Sequence, residues 1–555
     1  MTKIPSSQRA AKGWLKPFLE NLAAVIVASI LFAASNPNIL FENGLPLLAW
    51  IAYVPVFWML RRTGFLASVL WGAFYGYAAY GLFNYWLSVF HPLAGLIVGS
   101  IYLVYMAALF PLLRLAVIVF PKRGYLLQFL LFMAYEYLRT LGFLGYSYGI
   151  TGYSQWNILP IIQIAAVTGV WGVSALVVFP SAWLAAALSE YDPADKLYNC
   201  LKTFFRRERV SSLIWLTLLA ASLIYGFTSR VDYSDAPTFK AALIQHNTDP
   251  WQPSHSPNPL EEYRRDFHIL RDLSDQALAA HQDIDLVVWS ETAFVPRIWW
   301  HTVIRDSRAY AILVRELIEY LEGNEVPFIT GNDDGRRDPI INPNPMENNQ
   351  VNYNAAILFE RGEITEIYRK LHLVPFTEHF PYQDRFPGIH EALINADTHF
   401  WIQGTEPTVF NLNGVRFSTP ICFEDTFGYL GRKFVRNGAE LFVNLSNDAW
   451  SQSLSAQMQH LSMAVFRTVE NRRSMVRSTA SGQTCAIDPN GRILTMAEPF
   501  TEAWLVAEVP IVTKTTIYTL YGDYLGIVFS FLAIIFLLFG IMSYIMGKSK
   551  HPLKK

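Results

Sequence analysis

The sequence predicts a multi-pass α-helical membrane domain carrying a separate α/β sandwich, and three observations predict it. Hydrophobic residues make up 52% of the 555 residues and charged residues only 16%, an apolar excess larger than a soluble core holds. That excess is concentrated in residues 1–228 and 523–555. Residues 229–522 have another texture, with charges, turns and short β-branched runs.

Apolar segments at about 22–35, 45–60, 64–89, 93–120, 124–142, 158–188 and 212–228 read as seven membrane helices. A charge-free run from Tyr524 to Gly547 makes the eighth. The first two are short against the roughly 20 residues a crossing needs, so they are expected to be tilted, broken or re-entrant. The first is not expected to be a cleaved leader, because no small-residue cleavage site is obvious and further spans follow at once. Lys3, Arg9, Lys12 and Lys16 precede span one, Arg61 and Arg62 follow span two, Lys122 and Arg123 follow span four, and Lys196, Lys202, Arg206, Arg207 and Arg209 follow span six. Basic loops face the cytoplasm, which puts both termini there and residues 229–522 on the other side. In span five, Glu136 and Arg139 are costly ionisable groups, read as an i,i+3 structural pair in preference to a headgroup site. Gly169, Gly172 and Ser174 in span six are read as allowing close helix packing.

Within 229–522, the runs 239–246, 284–289, 326–331, 353–359, 415–421, 440–446 and 474–480 have the length and composition of buried strands. Helical spacing over 260–280, 305–322 and 454–472 alternates with them, which predicts an α/β sandwich. The Asn/Pro-rich stretch 332–350 reads as a long loop. Charges balance at 44 Lys plus Arg against 45 Asp plus Glu, and no basic tract is interleaved with aromatics, so a nucleic-acid partner is excluded. Cys200, Cys422 and Cys485 have neither CxxC nor zinc-ligand spacing, and His390-Glu391 lacks the second histidine of a zincin, so no metal site is expected.

Three reactive residue types stand immediately after apolar strands, where α/β folds present functional groups: Glu291 after IDLVVWS, Lys370 after EITEIYR and Cys422 after VRFSTPI. Alone, each is an ordinary surface or core residue. Together they supply what thiol chemistry requires, namely a base to take the proton and a cation for the oxyanion made on attack at a carbonyl.

The segments WSET (289–292), YRKLHLVPFTE (368–378) and PICFED (420–425) resemble, in order, the Glu, Lys and Cys signatures of the nitrilase superfamily, over roughly 238–510. With eight spans, QHNTDPW (245–251), KLHLVPFTEHFP, NLSNDAW (444–450), Gln459-His460 and the stretch Arg473–Arg477, the whole chain resembles the apolipoprotein N-acyltransferase family.

That resemblance implies an αββα sandwich at 229–522 as an extracytoplasmic catalytic domain, a seven-helix domain at 1–228, and an eighth helix with a basic cytoplasmic tail at 523–555. The implied setting is the bacterial cytoplasmic (inner) membrane, with no cofactor. The implied chemistry is ping-pong. Glu291 takes the Cys422 proton, the thiolate attacks the sn-1 ester of a phospholipid, and the resulting thioester is taken by the α-amine of an S-diacylglyceryl cysteine on an apolipoprotein. Lys370 and the Phe423 N–H are the implied oxyanion donors.

Glu378 is expected to hold Lys370 or position substrate, and Glu424 to be a hydrogen-bond partner near the nucleophile. Trp251, Trp299, Trp300, Trp450 and His460 are the substrate-binding candidates, with core packing or interfacial anchoring as the alternative for each indole. Cys485 reads as a buried strand residue, and Cys200 lies in a cytoplasmic loop. A monomer is expected from lateral substrate entry. Two rival readings remain: a membrane-anchored amidase using water as acceptor, and a catalytically silent lipoprotein-binding scaffold.

Overall fold

The computed structural model describes residues 6–90, 92–249, 258–345, 348–395, 398 and 400–549; Trp251 therefore lies outside the described residues. The chain divides into two compact units, Met1–Ser229 with Asp523–Lys555, and Arg230–Gly522.

Among the described residues of the first unit, six helices are long and apolar enough to cross a membrane: Trp14–Ser35, Phe65–Phe83, Ala94–Val119, Val170–Leu188, Arg209–Thr228 and Tyr524–Gly547. This differs from the expected eight for local reasons. The first helix is not short, because its apolar face continues back past Glu20 and Lys16 to Trp14. The expected second span is a 3-10 turn at Pro46–Trp50 followed by the nine-residue helix Val54–Arg62, each with a proline in its first turn, where the missing N–H breaks no intrahelical bond. The expected fifth stops at Leu138 after 15 residues. The expected sixth is interrupted, with short helices at Leu159–Ile162 and Ala165–Thr168 and a left-handed Gly169 (φ 63°) ahead of Val170.

The helices Arg209–Thr228 and Tyr524–Gly547 are only 17% buried over their apolar windows, exposing Phe227, Ile224, Phe531 and Met542. Such apolar surface is suited to lipid. Glu136 and Arg139 are engaged by other groups and not as the expected pair. Glu136 accepts the Thr151 N–H at 2.7 Å, and Arg139 donates to the Tyr102 hydroxyl at 2.6 Å and to the carbonyls of Tyr146 and Tyr148 at 3.0 and 2.9 Å. Buried polar groups are hydrogen-bonded, and here the partners are the Tyr102 hydroxyl together with groups of the 146–151 segment.

The second unit contains β1 (Thr238–Gln245), β2 (Leu286–Val288), β3 (Phe328–Arg337), β4 (Gln350–Glu360), β5 (Glu363–Arg369), β6 (Phe410–Leu412), β7 (Val415–Ser418), β8 (Leu441–Ser446), β9 (Ser474–Thr479), β10 (Cys485–Ile487), β11 (Ile493–Met496) and β12 (Ala503–Pro510). They form two six-stranded sheets, ordered β12-β1-β2-β3-β4-β5 and β11-β10-β9-β8-β7-β6. Each has three parallel strands at its centre (β1, β2, β3 and β7, β8, β9) and antiparallel strands outside. Central parallel strands buried on both faces explain why the sequence shows continuous apolar runs there.

Helices Pro259–Ala280 and Arg308–Glu322 cover the first sheet, burying Phe267, Leu270, Leu317 and Leu321 against Val287, Trp289, Phe328 and Ile357. Asn258, followed by Pro259 and two glutamates, caps the first by accepting the Leu260 N–H; Ser307 caps the second. Phe239 of β1 and Phe417 of β7 meet between the sheets. The expected loop 332–350 is in part strand: β3 pairs with β4 residue by residue as far as Arg337 opposite Gln350. Its polar residues hid the strand, since Asn332 and Asp334 are buried by hydrogen bonding and ion pairing and not by hydrophobicity.

Candidate active site

Glu291, Lys370 and Cys422 follow β2, β5 and β7, and the local chain turns sharply at two of them. Thr292 after the glutamate has φ 50°, and Cys422 itself has φ 49°, a left-handed conformation costly for a side-chain-bearing residue. Cys422 opens a 3-10 turn running to Thr426, and the Ile421 bridge to Leu445 holds the chain just before it.

Lys370 is fully buried, and its ammonium donates to Glu291 Oε1 at 3.2 Å and to Glu378 Oε1 at 2.8 Å. Burial pushes its pKa down, but Glu291 and Glu378 outweigh that and hold it above its ordinary value, so it stays charged. Glu291 is also fixed by the Asn354 side-chain amide at 2.8 Å on Oε1 and the Asn447 backbone N–H at 3.0 Å on Oε2. Glu378 takes the Val374 N–H at 2.9 Å on its other oxygen. Burial, then the Glu291 carboxylate, push the Cys422 thiol well above its usual range, while Lys370 acts in the opposite sense. Cys422 thus rests as a thiol, with the Glu291 carboxylate and the Lys370 ammonium acting on it in opposite senses.

Glu424 is completely buried and surrounded by donors. Ile421 N–H at 2.8 Å, Leu371 N–H at 2.7 Å, His372 N–H at 2.9 Å and the Tyr368 hydroxyl at 2.7 and 2.8 Å all reach its carboxylate. It fastens the Lys370 segment to the Cys422 turn. Phe423 packs edge-on against Phe427 at 4.9 Å.

A family model described as "Carbon-nitrogen hydrolase" matches residues 240–517, and one described as "Apolipoprotein N-acyltransferase N-terminal domain" matches residues 27–183. The chain is 43% identical to apolipoprotein N-acyltransferase 1 of Treponema denticola over 96% of its own length and 98% of that protein's. It is 44% identical to apolipoprotein N-acyltransferase 1 of Treponema pallidum over 95% and 96%, and 31% identical to apolipoprotein N-acyltransferase of Geobacter metallireducens over 90% and 91%. This chain belongs to the apolipoprotein N-acyltransferase family.

The remaining candidates separate by place. In this apolipoprotein N-acyltransferase family member, Trp300 is a core residue: it is 1% exposed, and its indole N–H is 2.8 Å from Asp306. Trp299 is half-buried beneath the Arg336 guanidinium, 4.6 Å from its ring centre. Trp450 is half-buried on the turn after Asn447, the residue whose amide holds Glu291. His460 is buried among Asp425, Asp448 and Arg477. Cys485 is fully buried in β10, its thiol pushed up to about 12 by burial.

Sequence reasoning assigned no role to Asn354, Asn447, Asp425, Asp448, Tyr368 or Arg477. Asn447 and Asp448 follow β8 at the same kind of strand end as Cys422, so the rule that singled out Cys422 also reaches them. Arg477 and Asn354 had a different signal, a charged or amide side chain inside a strand read as buried, which demands a buried partner.

Proposed function

We propose that this chain transfers an acyl group from a membrane phospholipid to the N-terminal amine of the S-diacylglyceryl cysteine of apolipoproteins, through a thioester on Cys422. The observation that carries the reading is the buried Lys370 ammonium clamped between Glu291 and Glu378, with all three charges acting on the Cys422 thiol. In the first half-reaction Sγ attacks the sn-1 ester carbonyl as its proton passes to Glu291. Moving that proton leaves the pocket's net charge unchanged, so attack does not require a free buried thiolate. Lys370 and the Phe423 N–H receive the oxyanion, and collapse expels the lysophospholipid alkoxide, which takes the proton from Glu291. In the second half-reaction the lipoprotein amine attacks the thioester, Glu291 accepts its proton, and the thiolate leaves and is reprotonated. An oxyanion donor of this kind is worth about 2.7–4 kcal/mol of barrier.

Lipid is both setting and substrate here, since an acyl chain costs about 0.8 kcal/mol per CH₂ to expose to water. In this reading the enzyme lies in the bacterial inner membrane with both termini cytoplasmic and Arg230–Gly522 outside. The segments Val54–Arg62 and Gly124–Leu138, too short to cross alone as straight helices, complete eight passages with their flanking turns.

The test supplies the purified protein with a phospholipid labelled in its sn-1 chain and a diacylated lipopeptide. Label on the peptide amine, absent with Cys422→Ala, is the expected result. Free labelled fatty acid alone identifies a hydrolase, and no turnover under conditions where a related acyltransferase works identifies a scaffold.

A further inference from the structure

His460 stands on the helix Leu454–Asn471, whose residues from Ser455 onward are all buried. Its Nε2 is 2.7 Å from Asp425 Oδ1 and 3.3 Å from the carbonyl oxygen of Cys422, and its Nδ1 is 2.9 Å from Asp448 Oδ1. Asp425 belongs to the turn that Cys422 opens. Asp448 follows Asn447, whose amide holds Glu291. One imidazole therefore spans the turn bearing the nucleophile and the turn fixing the base.

Nε2 faces the Asp425 carboxylate, and Nδ1 faces both the Asp448 carboxylate and the donor-only guanidinium of Arg477; burial opposes a charge on the ring, and the two carboxylates outweigh it and favour the imidazolium. Arg477 completes the cluster, with Nη2 at 3.1 Å from Asp448 Oδ2 and 2.8 Å from His460 Nδ1, and Nε at 3.4 Å from Asp425 Oδ2. Two cations thus offset two anions among side chains no more than 6% exposed. Buried ion pairs gain little net stability over an apolar core of the same shape, so stability alone is a weak reason for such a cluster. Its placement supplies another: it grips the carbonyl of the residue whose left-handed φ aims the thiol.

We propose that His460 is a positioning residue, its ring locking the Cys422 turn to the Asn447–Asp448 turn so that nucleophile and base keep their mutual geometry. This rests on the acyl-transfer reading of the site. The test uses the full-length protein in detergent, with rates normalised to the folded fraction from size exclusion. His460→Ala is expected to lower kcat by about tenfold to 100-fold, the size of loss a 1 Å misplacement causes, with KM for phospholipid and lipopeptide nearly unchanged. Alkylation of Cys422 by iodoacetamide, which needs neither substrate, is expected to slow in parallel. His460→Gln, which keeps an N–H donor in nearly the same volume, is expected to recover part of both rates. Wild-type kcat and alkylation in either variant would overturn the proposal, as would a loss no larger than the loss of folded protein. Activity surviving Cys422→Ala would instead overturn the reading of the site itself.

Discussion

A β-carbon placed on Gly331 would stand 2.6 Å from the Cα of Glu291 and 2.4 Å from the amide nitrogen of Thr292. Both obstacles are backbone, so neither can rotate away. Gly331→Ala must therefore push the Glu291 turn off β3, and overpacking of this kind costs about 1–3 kcal/mol. The expected outcome is a folded protein with a somewhat lower melting temperature and kcat down by about 100-fold. Gly323→Ala is the control, because its added carbon would meet only Tyr320 O at 3.5 Å and Glu319 O at 3.7 Å. Parallel kcat and thermal-unfolding measurements on the two variants check this.

Removing the cation tests the clamp from the other side. Lys370→Met keeps the buried stem and leaves Glu291 and Glu378 facing each other without a counter-charge. Breaking a buried pair by deleting one partner costs about 3–5 kcal/mol. Lys370→Met should thus unfold at lower temperature and show no measurable transfer, while Lys370→Met with Glu378→Gln should regain stability without regaining activity. A double-mutant comparison of melting temperatures and turnover decides it.

How much of this site was legible follows from where each residue sits on its strand. Glu291 and Cys422 come directly after apolar runs, so composition alone marks them as strand-end residues, whereas Lys370 follows β5, whose three charged residues hide it from apolar composition. Arg477 and Asn354 lie inside strands and pair with Asn444 on the neighbouring β8 and with Glu291 beyond β2, relationships that hydropathy along one strand does not contain. His460 was visible as a residue but not as a bridge, because Asp425 and Asp448 reach it from turns 35 and 12 positions away. In the helical unit, apolar length marked spans but misplaced their ends, stopping short of Trp14 in the first and running past Leu138 in the fifth. Left-handed Gly169 and the early stop at Leu138 are set by local turns that apolar length does not mark.

Glu424 offers a sharper test than an ordinary buried carboxylate, since every group that meets it is a donor. A carboxylate accepts at both oxygens, but a glutamine must present its NH₂ to Ile421 N–H or to the Leu371 and His372 pair. At least one buried amide is then left unpaired, at about 1–3 kcal/mol. Because these amides flank Lys370 and Cys422, Glu424→Gln should lower kcat as well as the melting temperature. Equal loss in both half-reactions, measured as single-turnover Cys422 acylation and as deacylation by lipopeptide, is the expected signature.

The charge on His460 makes a prediction about pH. Burial pushes the imidazole down, but Asp425 and Asp448 outweigh burial and the opposing Arg477, raising its pKa from 6.5 to about 9. A group whose folded pKa is raised contributes its full stabilisation below the unfolded value, and that contribution disappears as pH rises through the folded value. The wild-type melting temperature should therefore lose stability between about pH 6.5 and 9 as the unfolded and then the folded imidazole give up their proton. His460→Gln has no proton to lose there, so its melting temperature should be lower at pH 6.5 yet fall less steeply. Thermal unfolding of both proteins in the same detergent at half-unit pH steps measures the two slopes. Parallel slopes would mean that other groups set the alkaline limb and that the Asp425–His460–Asp448 bridge is not held by charge.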